Sequence, residues 1–134
     1  MESDLHRVLS DRSLSHHGLI DIDEFRFYNS KYGFQQGNEL LKQISSLTRQ
    51  YIKAEYWLHI DGDEFLFSTS KEDSQRFKND IFKFMQVVNN DLGVSVSIGL
   101  TKTSHMNKPI AILSKLKSNV LLAKKCGKNL LCEL

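Results

Sequence analysis

Five carboxylates fall in two short clusters: Asp21 with Asp23, and Asp61, Asp63 and Glu64 around a single glycine, Gly62. Residues two apart on an extended strand point their side chains to one face, so Asp21 and Asp23 can act on the same object. Hard oxygen donors of this kind suit Mg²⁺ or Mn²⁺, with phosphate oxygens completing the shell. Two such ions can activate an attacking hydroxyl and stabilise a leaving phosphate. A plainer reading stands beside this one. Asp-Gly is a preferred hairpin turn for backbone reasons alone, and strand-end carboxylates are ordinarily solvated. Neither cluster fits an EF-hand loop, because the acidic spacing is wrong and no glycine falls at the sixth position.

The elements around these clusters decide whether they meet. Gly18 to Asp23 reads as a strand, apolar at first and ending in carboxylates. Residues 55 to 60 and 63 to 69 read as two strands joined by Asp61-Gly62 in a type I′ turn. If that hairpin lies beside the first strand, both clusters converge on one edge of the sheet. A short helix is predicted over residues 3 to 12, and a turn or short helix through Asn29 and Gly33. Leu40, Leu41, Ile44, Leu47 and Tyr51 follow helical spacing, which predicts an amphipathic helix over 37 to 53. Phe77, Ile81, Phe84, Met85 and Val88 predict another helix. A strand follows over 93 to 101, then a helix opened by Pro109, and a last short strand within 129 to 134. This order predicts an α+β fold with helices packed on a sheet.

Composition narrows the partners. The chain has 134 residues, which predicts one domain over 1–134. Eighteen basic and 16 acidic residues leave a net charge of +2, too little for nucleic-acid binding by bulk charge. The longest apolar runs are four residues, Ile110 to Leu113 and Val120 to Ala123, against about 20 for a membrane span. Glu2 and Asp4 stand where a signal peptide is apolar, and Cys126 and Cys132 lack zinc-ligand spacing. The expectation is a cytoplasmic domain with no membrane segment. His16, His17 and His59 have no acidic or cysteine partners at metal spacing and read as surface or strand residues.

Four blocks, in order, resemble the GGDEF domain of the diguanylate cyclase family. Leu19-Ile-Asp-Ile-Asp-Glu-Phe-Arg26 is similar to the family's L-x-D-I-D-x-F-K. Asn29 to Leu41 is similar to N-D-x-x-G-H-x-x-G-D-x-x-L. Asp61-Gly-Asp-Glu-Phe65 stands in place of the signature itself. Val96-Ser-Ile-Gly99, then Ala123-Lys124 and Gly127-Lys-Asn129, are similar to S-I-G and A-K-x-x-G-R-N. The resemblance covers about residues 18 to 131.

The resemblance implies a ferredoxin-like palm with a central, mostly antiparallel sheet. It implies a bacterial signalling transferase that joins two GTP into cyclic di-GMP, each 3′-hydroxyl attacking the other nucleotide's α-phosphate with release of pyrophosphate. Each domain holds one GTP, so a homodimer forms at least transiently, and a sensory or effector domain or partner controls it. By the same resemblance Asp21, Asp63 and the Ile22 carbonyl hold Mg²⁺ or Mn²⁺. Glu64 and Asp63 carry the catalysis. Asn29 and the position of Asn38 contact guanine, while Arg26, Lys124 and Lys128 bind phosphate. Asp23 is structural and Phe25 and Phe65 belong to the core. Lys125 matches nothing in the family and reads as a solvated cation.

The chain departs from the family at four places. Asp61 replaces the first signature glycine and adds bulk and charge where the nucleotide passes. Asn38 replaces an aspartate. A carboxylate accepts from both guanine N1–H and the 2-amino group, whereas an amide offers one acceptor and one donor, at a cost of about 1–3 kcal/mol if buried. The same amide is complementary to adenine, so altered base selection that admits ATP is expected. The family's opening motif D-x-L-T-x-L-x-N-R is absent. Ile52, Lys53, Ala54 and Glu55 occupy the family's R-x-x-D product-inhibition positions, so feedback through that site is not expected. These departures support an alternative: a degenerate domain that binds a nucleotide or a protein partner without turnover.

Overall fold

The structure, a computed structural model, describes residues 2–70, 74–103 and 108–134. Its elements run α1 (Glu2–Leu9), β1 (His16–Ile22), α2 (Phe25–Tyr32), α3 (Phe34–Tyr51), β2 (Tyr56–Asp61), β3 (Glu64–Thr69), α4 (Ser74–Val87), β4 (Val96–Lys102), α5 (Pro109–Lys125) and β5 (Leu131–Glu133). A π-helical turn, Val88–Leu92, extends α4. The strands form one five-stranded sheet in the order β2-β3-β1-β4-β5, with β4 and β5 parallel and every other pair antiparallel.

The strand carrying the first acidic cluster sits at the centre of the sheet and is covered on both faces. Ile20 and Ile22 face one way, into a core with Phe65, Phe67, Val96 and Ile98, closed by Leu40 and Ile44 of α3 and by Ile81 and Phe84 of α4. Leu19 faces the other way, into a second core with Leu66, Val8 of α1 and Leu116 and Val120 of α5. Burial on both faces explains why this strand reads as an apolar run rather than an alternation. Period-two geometry then puts Asp21 and Asp23 on the α5 side, in line with Leu19.

That face requires α5 to approach closely. A Cβ on Gly99 would lie 2.5 Å from the Leu116 carbonyl oxygen and 2.9 Å from the Val120 nitrogen, both rigid helix backbone. Gly99→Ala therefore pushes α5 off the sheet, with an expected loss of about 3 kcal/mol by overpacking. Urea unfolding checks this; a loss below about 0.5 kcal/mol would mean that the helix yields freely.

Several sequence expectations are corrected. The strand β1 begins at His16, not Gly18, so of the two expected placements, surface or strand, both histidines take the strand, where they are buried. His17 Nδ1 lies 2.6 Å from Ser68 Oγ on β3, which supplies the hydrogen bond that a buried imidazole needs. The turn or short helix expected through Asn29 and Gly33 is a short helix, the eight residues of α2. It hands over to α3 at Gly33 alone, whose φ of 92° reverses the chain, so α3 starts at Phe34 instead of 37. The hairpin turn is Gly62-Asp63, because Asp61 pairs with Glu64 after a register shift between His59 and Asp61. Gly62 has positive φ but Asp63 does not, so the turn is not type I′, which needs both. Phe65 is buried as expected, while Phe25 is half-buried against the same core.

Candidate active site

The two acidic clusters meet at one end of the central strands rather than at an edge of the sheet. Asp21 is the direct cross-strand partner of Glu64 on β3 and of Ser97 on β4. The Ile22 N–H donates to the Asp63 carbonyl at 3.2 Å, which ties the hairpin turn to the end of β1. Asp63 stands at the turn and Glu64 opens β3, so three acidic side chains from two elements crowd one strand end.

Asp23 is fully engaged. Ser95 and Ser97 hydroxyls donate to its two oxygens at 2.6 and 2.7 Å, and the Asn129 N–H donates at 2.9 Å. Burial pushes its carboxyl up, but these hydrogen bonds and the Lys124 charge outweigh it and hold the group below its ordinary range. It fastens the loop after α5 to the end of β1.

Asp21 is the opposite case. Its Oδ1 is buried and accepts no aligned hydrogen bond. Burial and the neighbouring Asp63 carboxylate raise its pKa to about 7, with Lys124 opposing. Glu64 is also raised, chiefly by burial, with Asp63 and Asp61 adding and Lys117 and Lys124 opposing.

These residues suit a divalent cation. An orphaned buried carboxylate oxygen, a second carboxylate close enough to repel it and an adjacent backbone carbonyl are hard donors in mutual conflict, which a cation relieves. Asp21, Asp63 and Ile22 supply that set. Among the described residues, no three acidic, histidine or cysteine side chains form a cage by themselves, so the set needs the carbonyl and any ligand-borne oxygens.

Lys124, in the last turn of α5, reaches into the cluster. Its Nζ lies 3.3 Å from Asp21 Oδ1 and 3.4 Å from Asp23 Oδ1, and it donates to the Ile22 carbonyl at 3.4 Å. Lys128 follows in the tight turn after α5, with φ of 64°, and its ammonium pairs with Glu24. Glu24 itself has φ of 59° at the start of α2, a left-handed conformation that non-glycine residues adopt at a cost. Arg26 is exposed on α2.

Asn29 and Asn38 lie apart from the carboxylates, at the junction of α2 with α3. Asn29 Oδ1 is buried without a hydrogen-bond partner and occupies the space that a Cβ on Gly37 would need. Only glycine at 37 lets the two helices close over that amide. Asn38, the next residue, is exposed and lines a groove of about 630 Å³ with Leu41, Lys42, Arg49, His59 and Phe65. The groove is large enough for a nucleotide-sized ligand, and none of the acidic residues lines it. His59 stacks on Phe65 at 4.7 Å and its Nε2 lies 2.6 Å from the Gly62 carbonyl, so it braces the hairpin turn. That bracing role was missed from sequence; its only signal was an imidazole three residues before the signature glycine. Asp61 is exposed. Glu55, at the last of the product-inhibition positions, accepts from the Ser70 N–H and hydroxyl at 3.0 and 2.8 Å and so pins the β3 end.

A family model described as "Diguanylate cyclase, GGDEF domain" matches residues 1–130, starting well upstream of the four quoted blocks. The chain superposes on the GGDEF domain of DgcB from Caulobacter crescentus, solved in complex with c-di-GMP, with a TM-score of 0.86 and 17% identity over 98% of this chain and 86% of that one. The active GGEEF domain of a diguanylate cyclase from Vibrio cholerae gives a TM-score of 0.82 and 20% identity over 98% and 92%. At these identities the likeness shows the palm-like α+β fold. A membrane protein of Staphylococcus epidermidis of uncharacterised function is 39% identical over 46 residues, 34% of this chain and 13% of that protein. No helix among the described residues is long and apolar enough to cross a membrane.

Proposed function

Because the chain belongs to the GGDEF family of diguanylate cyclase domains, we propose that it condenses two molecules of GTP into cyclic di-GMP, two copies meeting face to face with one nucleotide each. The observation that carries this reading is the conflict at the strand end: Asp21, Asp63 and the Ile22 carbonyl converge with no neutral arrangement of their own. They would hold Mg²⁺ or Mn²⁺, which supplies Lewis-acid activation of the hydroxyl and neutralises phosphate charge.

The remaining groups bind and orient. Lys124, Lys128 and Arg26 are the cations for the triphosphate, and Asn29 and Asn38 face the base from the α2–α3 junction. Glu64, held above the ordinary carboxylate range by burial, is the group placed to take the proton from the attacking 3′-hydroxyl. The chemistry requires that this hydroxyl belong to the other copy's nucleotide, so rate rises with the square of protein concentration when pairing is weak.

A second reading has specific support. Asp61 adds negative charge at the turn, and Asn38 mismatches guanine. A domain with both changes suits a nucleotide-binding regulatory module, controlled by or controlling a sensory domain. One assay separates the two: concentrated protein with GTP, ATP or both, plus Mg²⁺ or Mn²⁺, products resolved by mass. Cyclic di-GMP is the expected product. With the wild-type amide at 38 some adenine-containing product is also expected, and Asn38→Asp should raise the preference for GTP, by about tenfold where the bound base shields this exposed side chain from water, since a buried donor–donor clash costs about 1–3 kcal/mol. No cyclic dinucleotide in any mixture leaves the regulatory reading. An unchanged GTP/ATP ratio in Asn38→Asp removes the specificity role of residue 38.

A further inference from the structure

Lys124 is bonded to the groups proposed to hold the metal. One ammonium engages the Asp21 carboxylate and the Ile22 carbonyl, two of the three donors, and reaches Asp23 as well. Its contact with Asp21 is a charge contact without an aligned hydrogen bond, since Oδ1 accepts none. At 3.3–3.4 Å the ammonium sits farther from these oxygens than a coordinated Mg²⁺, whose ligands lie at about 2.0–2.1 Å. A loosely held monovalent cation thus occupies a donor set shaped for a tightly held divalent one. The neighbouring cations are committed elsewhere: Lys128 pairs with Glu24, and Lys117 exerts its charge on Glu64.

The partners of Lys124 differ in what they need from it. Asp23 keeps three other hydrogen bonds if the ammonium leaves. Asp21 Oδ1 keeps none. Departure of the ammonium without a replacement would leave Asp21 and Asp63 facing each other with no counter-charge, which is costly in a partly buried site. While Asp21 is ionised, the ammonium therefore leaves only in exchange for another cation. Its flexible four-carbon stem lets it move while α5 stays in place. A polyphosphate arriving with its own divalent ion supplies both halves of that exchange, the replacement cation for the carboxylates and an anionic partner for the displaced ammonium.

We propose that Lys124 is a resident cation that holds the metal ligands closed in the nucleotide-free protein, so that divalent metal and nucleotide phosphate enter together and each raises the other's affinity. This rests on reading Asp21, Ile22 and Asp63 as the metal ligands. Metal alone must expel the ammonium into solvent, whereas metal with phosphate moves it from carboxylate to phosphate. By reciprocity, the nucleotide tightens metal as much as metal tightens the nucleotide.

The test is Mn²⁺ binding, read as free Mn²⁺ by electron paramagnetic resonance, in wild type, Lys124→Gln and Lys124→Arg, with and without a non-hydrolysable GTP analogue. Without nucleotide, Lys124→Gln should bind Mn²⁺ about tenfold more tightly than wild type, since a unit charge beside the ion has been removed. Lys124→Arg, which keeps the charge, should stay weak. The analogue should tighten Mn²⁺ in wild type and have much less effect in Lys124→Gln. Equal or weaker Mn²⁺ binding by Lys124→Gln, in protein whose circular dichroism and cooperative melting match wild type, overturns the proposal. So does the absence of Mn²⁺ binding in every protein. Tightened binding in Lys124→Gln with no cyclic dinucleotide from wild type removes the cyclase reading and leaves this one standing. Turnover by wild type with unchanged Mn²⁺ affinity in Lys124→Gln removes this one alone.

Discussion

Asp21→Asn is expected to abolish turnover and, in the same protein, to raise stability in the absence of metal by about 2–4 kcal/mol at pH 8. The pKa of Asp21 is lifted to about 7, first by burial and then by Asp63. A carboxyl raised in the folded state above its unfolded value of 3.8 makes no penalty when protonated and its full penalty when ionised. The metal-free wild type therefore gains stability from this group as pH falls from above 7 toward 4, and the variant does not. The difference between the two should be largest at pH 8, shrink through pH 7 and close near pH 4, where Asp21 is neutral in both. Urea unfolding in the presence of a chelator, at pH 8, 6 and 4, reads this directly. Added Mn²⁺ together with a non-hydrolysable GTP analogue should stabilise wild type at pH 8 and leave Asp21→Asn nearly unchanged, because only wild type keeps the ligand. A variant no more stable than wild type at pH 8 would show that Asp21 carries no charge conflict, and with it would go the main physical argument for a cation there.

His17 drives stability the other way in nearly the same window. Its imidazole is buried in β1, and that burial, reinforced by His16, lowers its pKa from 6.5 to about 4. A base depressed in the folded state is protonated first in the unfolded chain, so its stabilising effect is complete above about pH 6.5 and is lost as pH falls toward 4. The loss is about 2 kcal/mol between pH 7 and 5 and about 3 kcal/mol in full. Because Asp21 gains over the same range, the wild-type profile should be nearly flat. Asp21→Asn should uncover the His17 loss as a fall in the urea midpoint between pH 7 and 5. Adding His17→Asn, whose amide can still bond Ser68, should remove most of that fall. A fall that persists in the double variant would assign it to another group.

Much of the architecture is legible because local patterns agree with the packing. Leu40 and Ile44, at the predicted helical spacing, are buried on α3 with Leu41, Leu47 and Tyr51 partly buried beside them, and the acidic end of the first strand marks where its apolar burial stops. The misread places have physical reasons. His16 and His17 could be read as surface or strand residues, and their burial stayed hidden because Ser68, which gives His17 a partner, lies 51 positions away. Asp61-Gly62 looks like a type I′ turn until a shift of pairing beyond His59 moves the turn one residue on. Strand pairing across the sheet outweighs the dipeptide's preference.

Residue types and spacing by themselves singled out the oxygen donors on one strand and one hairpin, whereas the cations near the end of the last helix and the amides around Gly37 entered only through the family resemblance. The oxygen donors stand out because each cluster is a local pattern, two residues apart on a strand or next to a turn glycine. Only the tertiary structure decided that Asp23 is fully hydrogen-bonded while Asp21 Oδ1 accepts no hydrogen bond, two residues apart on the same face. That difference comes from Ser95, Ser97 and Asn129, which reach Asp23 from other elements. Only the tertiary structure put Lys124 against the carboxylates, 102 positions from the Ile22 carbonyl that it bonds. Burial and long-range charge set the energetics of this site, and neither is a property of neighbours in the chain.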